Sequence, residues 1–333
     1  VSLKKLSLLE KEPQPWSREL IEKAYFEDFT RAPEVIDETA GGQFWLSLND
    51  LQDTIWIFQQ SATELFDEIS VFADRSRDLA FWQQVNSIQA DSHTKAVKKC
   101  IFNCTASLMA LVDHARSFQE KYPIDGYSDK AREVFPSDGL HSFLQKFRNY
   151  NTHWRVAEAN WSISHNFENR AREVQFVITK KELLRWNGWN ASAKEYIAKS
   201  SDPVDVRHIF SEYRKCVHRF YSWHWGEVLS RYAETYQPYL YYKRVLGGIR
   251  KKLLWNMLLT RAPRDANPYA YIGKYLPKEQ IEKLLALQSR SEAQADALIE
   301  MLDMQEFCSP ELKAKAISIF QGSQSCPTPT SDC

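Results

Sequence analysis

The sequence predicts a mainly α-helical protein: a bundle of four long helices, a β-hairpin inserted between the third and fourth, and additional helices toward the C-terminal end. Three observations carry this expectation. Apolar residues recur at spacings of three and four over long stretches, the stripe that an amphipathic helix buries. Glycine is scarce, at 10 in 333 residues, so few positions favour a turn. Aromatic residues form 13% of the chain and supply side chains large enough to fill the gaps between helices.

Pro13 and Pro15 precede Ser17, a side chain suited to an N-cap, and Leu20, Ile21, Ala24, Phe26 and Phe29 predict a short helix ending near Ala32-Pro33. Gly41-Gly42 is expected to break the chain. From about Ser47, the stripe Leu48, Leu51, Ile55, Phe58, Ala62, Leu65, Ile69, Phe72 predicts a long helix that continues through Phe81, Trp82, Val85 and Ile88. A second runs from about Ser92 to Tyr122, with Val97, Ile101, Cys104, Leu108, Leu111 and Phe118 inward, and Pro123 and Gly126 close it. After a short stretch around Ala131 to Phe135, Gly139 resets the chain. Leu140, Phe143, Leu144, Phe147, Tyr150 and Trp154 then mark the third long helix.

From Val156 to Ile178 the period changes to two, with Ala157, Ala159, Trp161 and Ile163 before a polar turn and Val174, Phe176 and Ile178 after it, which predicts a hairpin. Asn187-Gly188 ends the excursion. Asp202-Pro203 reads as an N-cap with Pro in the first turn, opening a fourth helix through Ile209, Tyr213, Val217, Phe220, His224 and Tyr232 that Pro238 stops or kinks. Further helices are expected at about Tyr239 to Thr260, Pro277 to Met304 and Ser309 to Phe320. The expected organisation is an N-terminal helical extension over 1–46, the bundle over 47–236 with its hairpin insertion at about 156–186, a C-terminal helical region over 237–321 and a disordered Ser/Thr/Pro-rich tail over 322–333.

Formal net charge is zero, with 43 Lys and Arg against 43 Asp and Glu, so no global field draws the chain to nucleic acid or an anionic membrane. A nucleic-acid site would have to be local, and the basic clusters are Lys95/Lys98/Lys99, Arg170/Arg172 with Lys180/Lys181, and Lys243/Arg244 with Arg250/Lys251/Lys252. Val1 to Glu12 lacks an apolar core of signal-peptide length, and no stretch approaches the roughly 20 apolar residues that span a bilayer. The expected location is the cytoplasm, with the six cysteines as reduced thiols. Cys100 and Cys104 lie one helical turn apart, but Cys216, Cys308, Cys326 and Cys333 provide no second close pair of zinc-ligand spacing. No metal or cofactor is expected. In that location the sequons at Asn103, Asn160 and Asn190 carry no sugar.

Polar chemistry concentrates at the end of the third helix, in Arg148-Asn149-Tyr150-Asn151-Thr152-His153. Asn149 and His153 are four apart and share a face. Arg148 and His153 are five apart, about 140° around an ideal helix, so they meet only if Arg bends back, the helix distorts, or a second copy contributes. An Arg and a His at one site suit metal-independent RNA cleavage. Imidazole takes the proton of a ribose 2′-hydroxyl or gives one to the leaving 5′-oxygen. Guanidinium holds the phosphate and balances charge on its oxygens.

These six residues resemble the signature of the HEPN superfamily: Arg, a polar residue, then His after a few intervening positions, near the end of a helix in a four-helix bundle. The resemblance covers them tightly and the helix order from Ser47 to Tyr236 loosely. It implies a metal-independent endoribonuclease of a toxin or phage-defence system, acting on RNA as a homodimer and accompanied by an antitoxin or other protein partner. It implies Arg148 as the phosphate-binding residue, Asn149 as the residue that orients the site and His153 as the catalytic histidine. Asp113, His114, Arg116, His141 and Gln145 are candidates to support that cluster. A second Arg-to-His match, Arg219 to His224, has Phe220 in the polar position and reads as core. The competing reading is a non-enzymatic helical interaction protein in which the Arg/Asn/His cluster is structural and part of the aromatic surplus, notably Trp186, Trp189, Trp223 and Trp225, faces a partner.

Overall fold

The computed structural model describes residues 6–135, 139–166, 171–262, 267–270 and 272–321. The protein is mainly helical with one small antiparallel sheet. In chain order the helices are α1 (Leu8–Lys11), α2 (Arg18–Glu27), α3 (Arg31–Glu38), α4 (Ala40–Arg75), α5 (Ser87–Lys121), α6 (Tyr127–Val134), α7 (Leu140–Asn149), α8 (Lys180–Leu183), α9 (Ala191–Lys199), α10 (Val206–Arg231), α11 (Ala233–Arg261), α12 (Lys278–Leu285), α13 (Glu292–Met301) and α14 (Pro310–Gln321). The strands are β1 (Asn160–Asn166), β2 (Ala171–Ile178) and β3 (Val204–Asp205), in sheet order β1-β2-β3. The chain divides into two compact units, one formed by Phe44–Ala233 and the other by Val1–Gln43 with Glu234–Cys333. Among the described residues no helix is long and apolar enough to cross a membrane.

The unit Phe44–Ala233 is held by the stripes of its long helices. Leu51, Phe58, Ala62, Leu65, Ile69 and Phe72 of α4 are buried, as are Val97, Ile101, Cys104, Leu108 and Phe118 of α5 and Ile209, Phe210, Tyr213, Val217 and Phe220 of α10. The hairpin pairs in register Trp161 with Phe176 and Ile163 with Val174, and its turn lies outside the described residues. Trp161 stacks on Phe72 and its Nε1 donates to Thr94 Oγ1 (3.0 Å), which fastens β1 to α4 and α5. His224 sits 2% exposed against Phe118, Tyr127 and Phe220. Burial pushes its pKa down from 6.5 to about 4.

A depressed folded-state pKa means that the unfolded chain takes up the proton first. The stability from neutral His224 is therefore full above pH 6.5 and drains as pH falls toward 4. We expect this residue to account for a loss of about 3 kcal/mol between those limits, measured as the difference in urea unfolding between the native chain and His224→Leu.

Several elements depart from the sequence expectation. Gly41 and Gly42 lie inside α4 and do not break it. A Cβ would fall 2.4 Å from the Thr235 carbonyl oxygen at Gly41 and 2.4 Å from that of Asp37 at Gly42, so these glycines permit close backbone approach. The first expected helix is two, α2 and α3. Asp28 Oδ1 accepts from Thr30 and Arg31 N, and Pro33 sits in the first turn of α3, where its missing N–H is harmless. The long helix ends at Arg75 and does not continue to Ile88. Asp78 caps a 3₁₀ turn over Leu79–Trp82, and α5 begins at Ser87, earlier than Ser92.

Asp202 does not cap the fourth helix; it accepts from Lys180 N (3.0 Å), β3 intervenes, and Asp205 is the N-cap of α10. The break after α10 falls at Tyr232, and Pro238 lies within α11. Pro277 to Met304 is two helices, because Arg290 adopts a positive φ of 59° and Ser291 caps a new start. Helices α8 and α9, each opened by a capping side chain (Thr179 and Asn190), were not expected. The tail over 322–333 lies outside the described residues.

In the other unit, Arg31 binds Glu10, Glu34 and Glu38 (2.7, 3.1 and 2.8 Å) and ties α3 to α1. Trp16 packs on Tyr242 of α11 (centroids 4.9 Å apart), and Tyr239 and Lys243 both donate to Asp37 Oδ1 (3.0 Å each). Helices α11, α13 and α14 line an apolar cavity of about 580 Å³.

Candidate functional site

Helix α7 buries Leu140, Phe143, Leu144 and Phe147, and Tyr150 follows on the same face. Phe143 stacks on Trp189 (5.3 Å, 8°) and packs against Tyr196 of α9 (5.1 Å). This apolar face fixes the rotation of the helix and leaves Arg148, Asn149, Thr152 and His153 away from the core. At Tyr150–Trp154 the helix widens into a π turn, with Arg155 N donating to the Tyr150 carbonyl (3.0 Å), five residues back.

Side chains of the turn bind the carbonyls of the helix before it. Asn151 Nδ2 donates to the Phe147 carbonyl (2.9 Å) and Thr152 Oγ1 to that of Arg148, so both carbonyls four residues back are bound by side chains. Asn151 is buried, and its Oδ1 also accepts from Ala157 N (3.1 Å), which pins the chain leaving the turn.

The consequence is the convergence that an ideal helix forbids. Arg148 Nη1 lies 3.2 Å from Asn149 Oδ1 and 3.5 Å from His153 Nε2, all within one chain. For that long contact to be a hydrogen bond, Nε2 accepts and the imidazole is neutral with its proton on Nδ1. Of the three conditions under which Arg148 and His153 could meet, the helix meets the second, distortion. Arg148 and Asn149 are half-buried and His153 is exposed, so the cluster faces solvent. A guanidinium, an amide oxygen and an imidazole within one hydrogen-bonded group can hold a phosphate and move a proton beside it.

Sequence reasoning missed the group beneath. Tyr150 Oη donates to Glu182 Oε1 (2.8 Å), and Glu182 also pairs with Arg185 (3.1 Å) and Arg155 (3.6 Å), which forms a further ion pair with Glu158. Burial pushes the Glu182 carboxyl up; the bonds from Tyr150 and Arg185 and the charges of Arg155 and Arg185 outweigh it and leave the pKa below the ordinary value. Burial, then the Glu182 bond, raises the Tyr150 phenol. The one available signal was Thr179-x-x-Glu182, the spacing of a capping box, but there Glu182 serves Tyr150. Tyr150→Phe should lower unfolding free energy by about 1 kcal/mol, since the phenol bond is lost while both arginines still serve Glu182; chemical denaturation measures it.

The expected supporting residues go elsewhere. His114 Nδ1 bonds Thr54 Oγ1 (2.7 Å), His141 Nδ1 bonds Tyr213 Oη (2.8 Å), and Asp113 pairs with Arg116 (3.7 Å) on the surface. None of these, nor Gln145, hydrogen-bonds Arg148, Asn149 or His153. In the second Arg-to-His match, Arg219 is exposed and His224 buried, so the two face apart.

Of the basic clusters, the last is largely occupied: Lys243 binds Asp37, Arg244 binds Asp303 and Glu306, and Lys252 binds Glu22. Arg172 binds the Ala73 carbonyl and Ser76, and Arg170 lies outside the described residues. Cys100 and Cys104 are buried, and burial raises both thiols. Trp189 is buried, and Trp186, Trp223 and Trp225 are half-buried. The chain matches no protein-family model, no curated protein and no solved structure.

Proposed function

We propose that the chain is a metal-independent endoribonuclease of HEPN type. The reading rests on one observation above all: the π turn after α7 places Arg148, Asn149 and His153 in a single solvent-facing cluster. In the proposed reaction His153 takes the proton of a ribose 2′-hydroxyl, whose oxygen attacks the adjacent phosphorus. The bond to the 5′-oxygen breaks, and Arg148 balances charge on the non-bridging oxygens. Asn149 keeps the guanidinium oriented. The products are a 2′,3′-cyclic phosphate and a 5′-hydroxyl. In a homodimer with the ends of two α7 helices facing across a two-fold axis, the second His153 would protonate the leaving oxygen. A toxin or phage-defence setting, with an antitoxin or other protein partner, and a cytoplasmic location belong to the same proposal.

The test is incubation of the purified chain with single-stranded RNA in EDTA, with end-group analysis of the fragments. Cyclic phosphate ends that form at an undiminished rate support the reading. Intact RNA across a range of pH and salt, or 3′-hydroxyl ends, would overturn it.

A second reading, a non-enzymatic helical interaction protein, is favoured by the link between α4 and α5. Leu79, Trp82, Val85 and Ile88 are 85, 50, 80 and 75% exposed there. Clustered exposed apolar side chains mark contact surfaces more often than single ones do.

A further inference from the structure

A groove of about 1,100 Å³ lies between α4 and α10, within one compact unit. Its chemistry is unlike that of a packed helix pair. On α10, Arg207, Arg214, His218 and Trp225 share one face, at helical spacings of seven, four and seven. On α4, Trp56, Gln59 and Phe66 line the groove with Arg214, His218 and Trp225, and Arg207 lies just beyond its lining, over the Phe66 ring.

The two arginines are the unusual groups. Arg214 Nε donates to Gln59 Oε1 (2.6 Å) and Arg207 Nη2 to Ser70 Oγ (3.1 Å), and both guanidiniums lie over the Phe66 ring, at 5.9 and 5.6 Å. Neither forms an ion pair with a carboxylate among the described residues, whereas Lys215 beside them is paired with Glu212 (2.7 Å). A guanidinium held by neutral partners and a ring keeps its charge and most of its donors for a ligand. Trp56 is 65% exposed at the groove, and Trp225, which lines it from α10, is half-buried. Asp53 is the carboxylate that lines the groove.

We propose that this groove binds single-stranded nucleic acid, with Arg207 and Arg214 on the phosphates and Trp56 and Trp225 stacked on bases. Cations that track a backbone, combined with aromatic faces that take any base, are what non-specific single-strand binding requires. From Arg207 to Trp225 the face extends about 27 Å along the helix, enough for several nucleotides. An acidic peptide would satisfy the arginines but leave the indoles without a partner. A duplex would offer phosphates but no open base face. The proposal stands apart from cleavage at Arg148 and His153, and the probe is chosen so that the two are tested separately.

The experiment is fluorescence anisotropy of the full chain with a labelled 12-nucleotide 2′-O-methyl oligouridine, which cannot be cut by 2′-hydroxyl attack, and with oligothymidine of the same length. We expect both to bind. Arg207→Gln/Arg214→Gln should weaken binding by at least about 10-fold and reduce the slope of log K against log salt by about 1.4. Trp56→Ala, a change at an exposed side chain, should weaken it by about 5- to 100-fold. Three results would overturn the proposal: no binding of either oligonucleotide up to about 100 μM at low salt, affinity unchanged in Trp56→Ala, or equal affinity for a 12-base-pair duplex or polyglutamate. Thermal melts establish that each variant is folded before it is measured.

Discussion

His153→Ala and Arg148→Ala should each lower RNA cleavage by about 10²- to 10⁴-fold, the usual contribution of one positioned proton-transfer or charge-balancing group. Neither change should move the melting temperature by more than a degree or two, because His153 is exposed and, among the described residues, its one hydrogen-bond contact is a long one to Arg148. Arg148→Lys discriminates further. A lysine keeps the charge but loses the planar fork that can contact Asn149 and a phosphate together, so cleavage should recover only in part. Full activity in His153→Ala would remove the basis for the nuclease reading, and a large fall in stability would show that the cluster supports packing.

The second large effect belongs to a residue that would not touch substrate. Asn151 binds the Phe147 carbonyl and the Ala157 N–H from a buried position. Asn151→Ala removes a side-chain partner from each; the Phe147 carbonyl keeps Tyr150 N, whereas Ala157 N is left without its partner, so unfolding free energy should fall by about 1 to 3 kcal/mol. The same substitution releases the chain at Ala157, where it leaves the π turn, and so loosens the turn that holds His153 beside Arg148. On the nuclease reading Asn151 is a positioning residue. Its loss should depress the cleavage rate more than substrate affinity, a split of kcat from KM that a purely structural role would not produce. Asn151→Asp, which retains the acceptor for Ala157 N, should recover part of the stability.

The apolar stripes were legible in the sequence because periodicity reports burial directly. Phe143 and Phe147 on α7, Tyr150 just after it, Phe58 and Phe72 on α4, and Phe220 on α10 are all buried where spacing placed them. The alternation at Trp161 and Ile163 likewise located β1. What spacing cannot report is which backbone groups a side chain will occupy. Asn151 and Thr152 read as polar positions on a regular helix, yet they bond carbonyls four residues back within a π turn that no spacing announces.

Glu182 was illegible for a different reason. Its partner Tyr150 is 32 residues away, and no local pattern encodes the meeting. The glycines at 41 and 42 were misread because absence of a side chain serves close approach as well as it serves a turn. The α4/α10 groove leaves little trace in the sequence because its two arginines lie seven apart on one helix, in no local run of basic residues.

The π turn also bears on how the chain tolerates changes in length. A turn closed over five residues carries one more residue than its α-helical counterpart, so everything beyond Trp154 leaves the helix about 100° further round. That extra residue brings His153 back to Arg148 and also aims Ala157 at Asn151 and the chain at β1. An added or lost residue between Ala157 and Asn160 leaves the polar cluster in place and shifts only the register at which the chain enters β1. The same change between Arg148 and His153 would dissolve the polar cluster and alter the direction in which the chain leaves for the hairpin at once, so this six-residue stretch couples the cluster to the sheet.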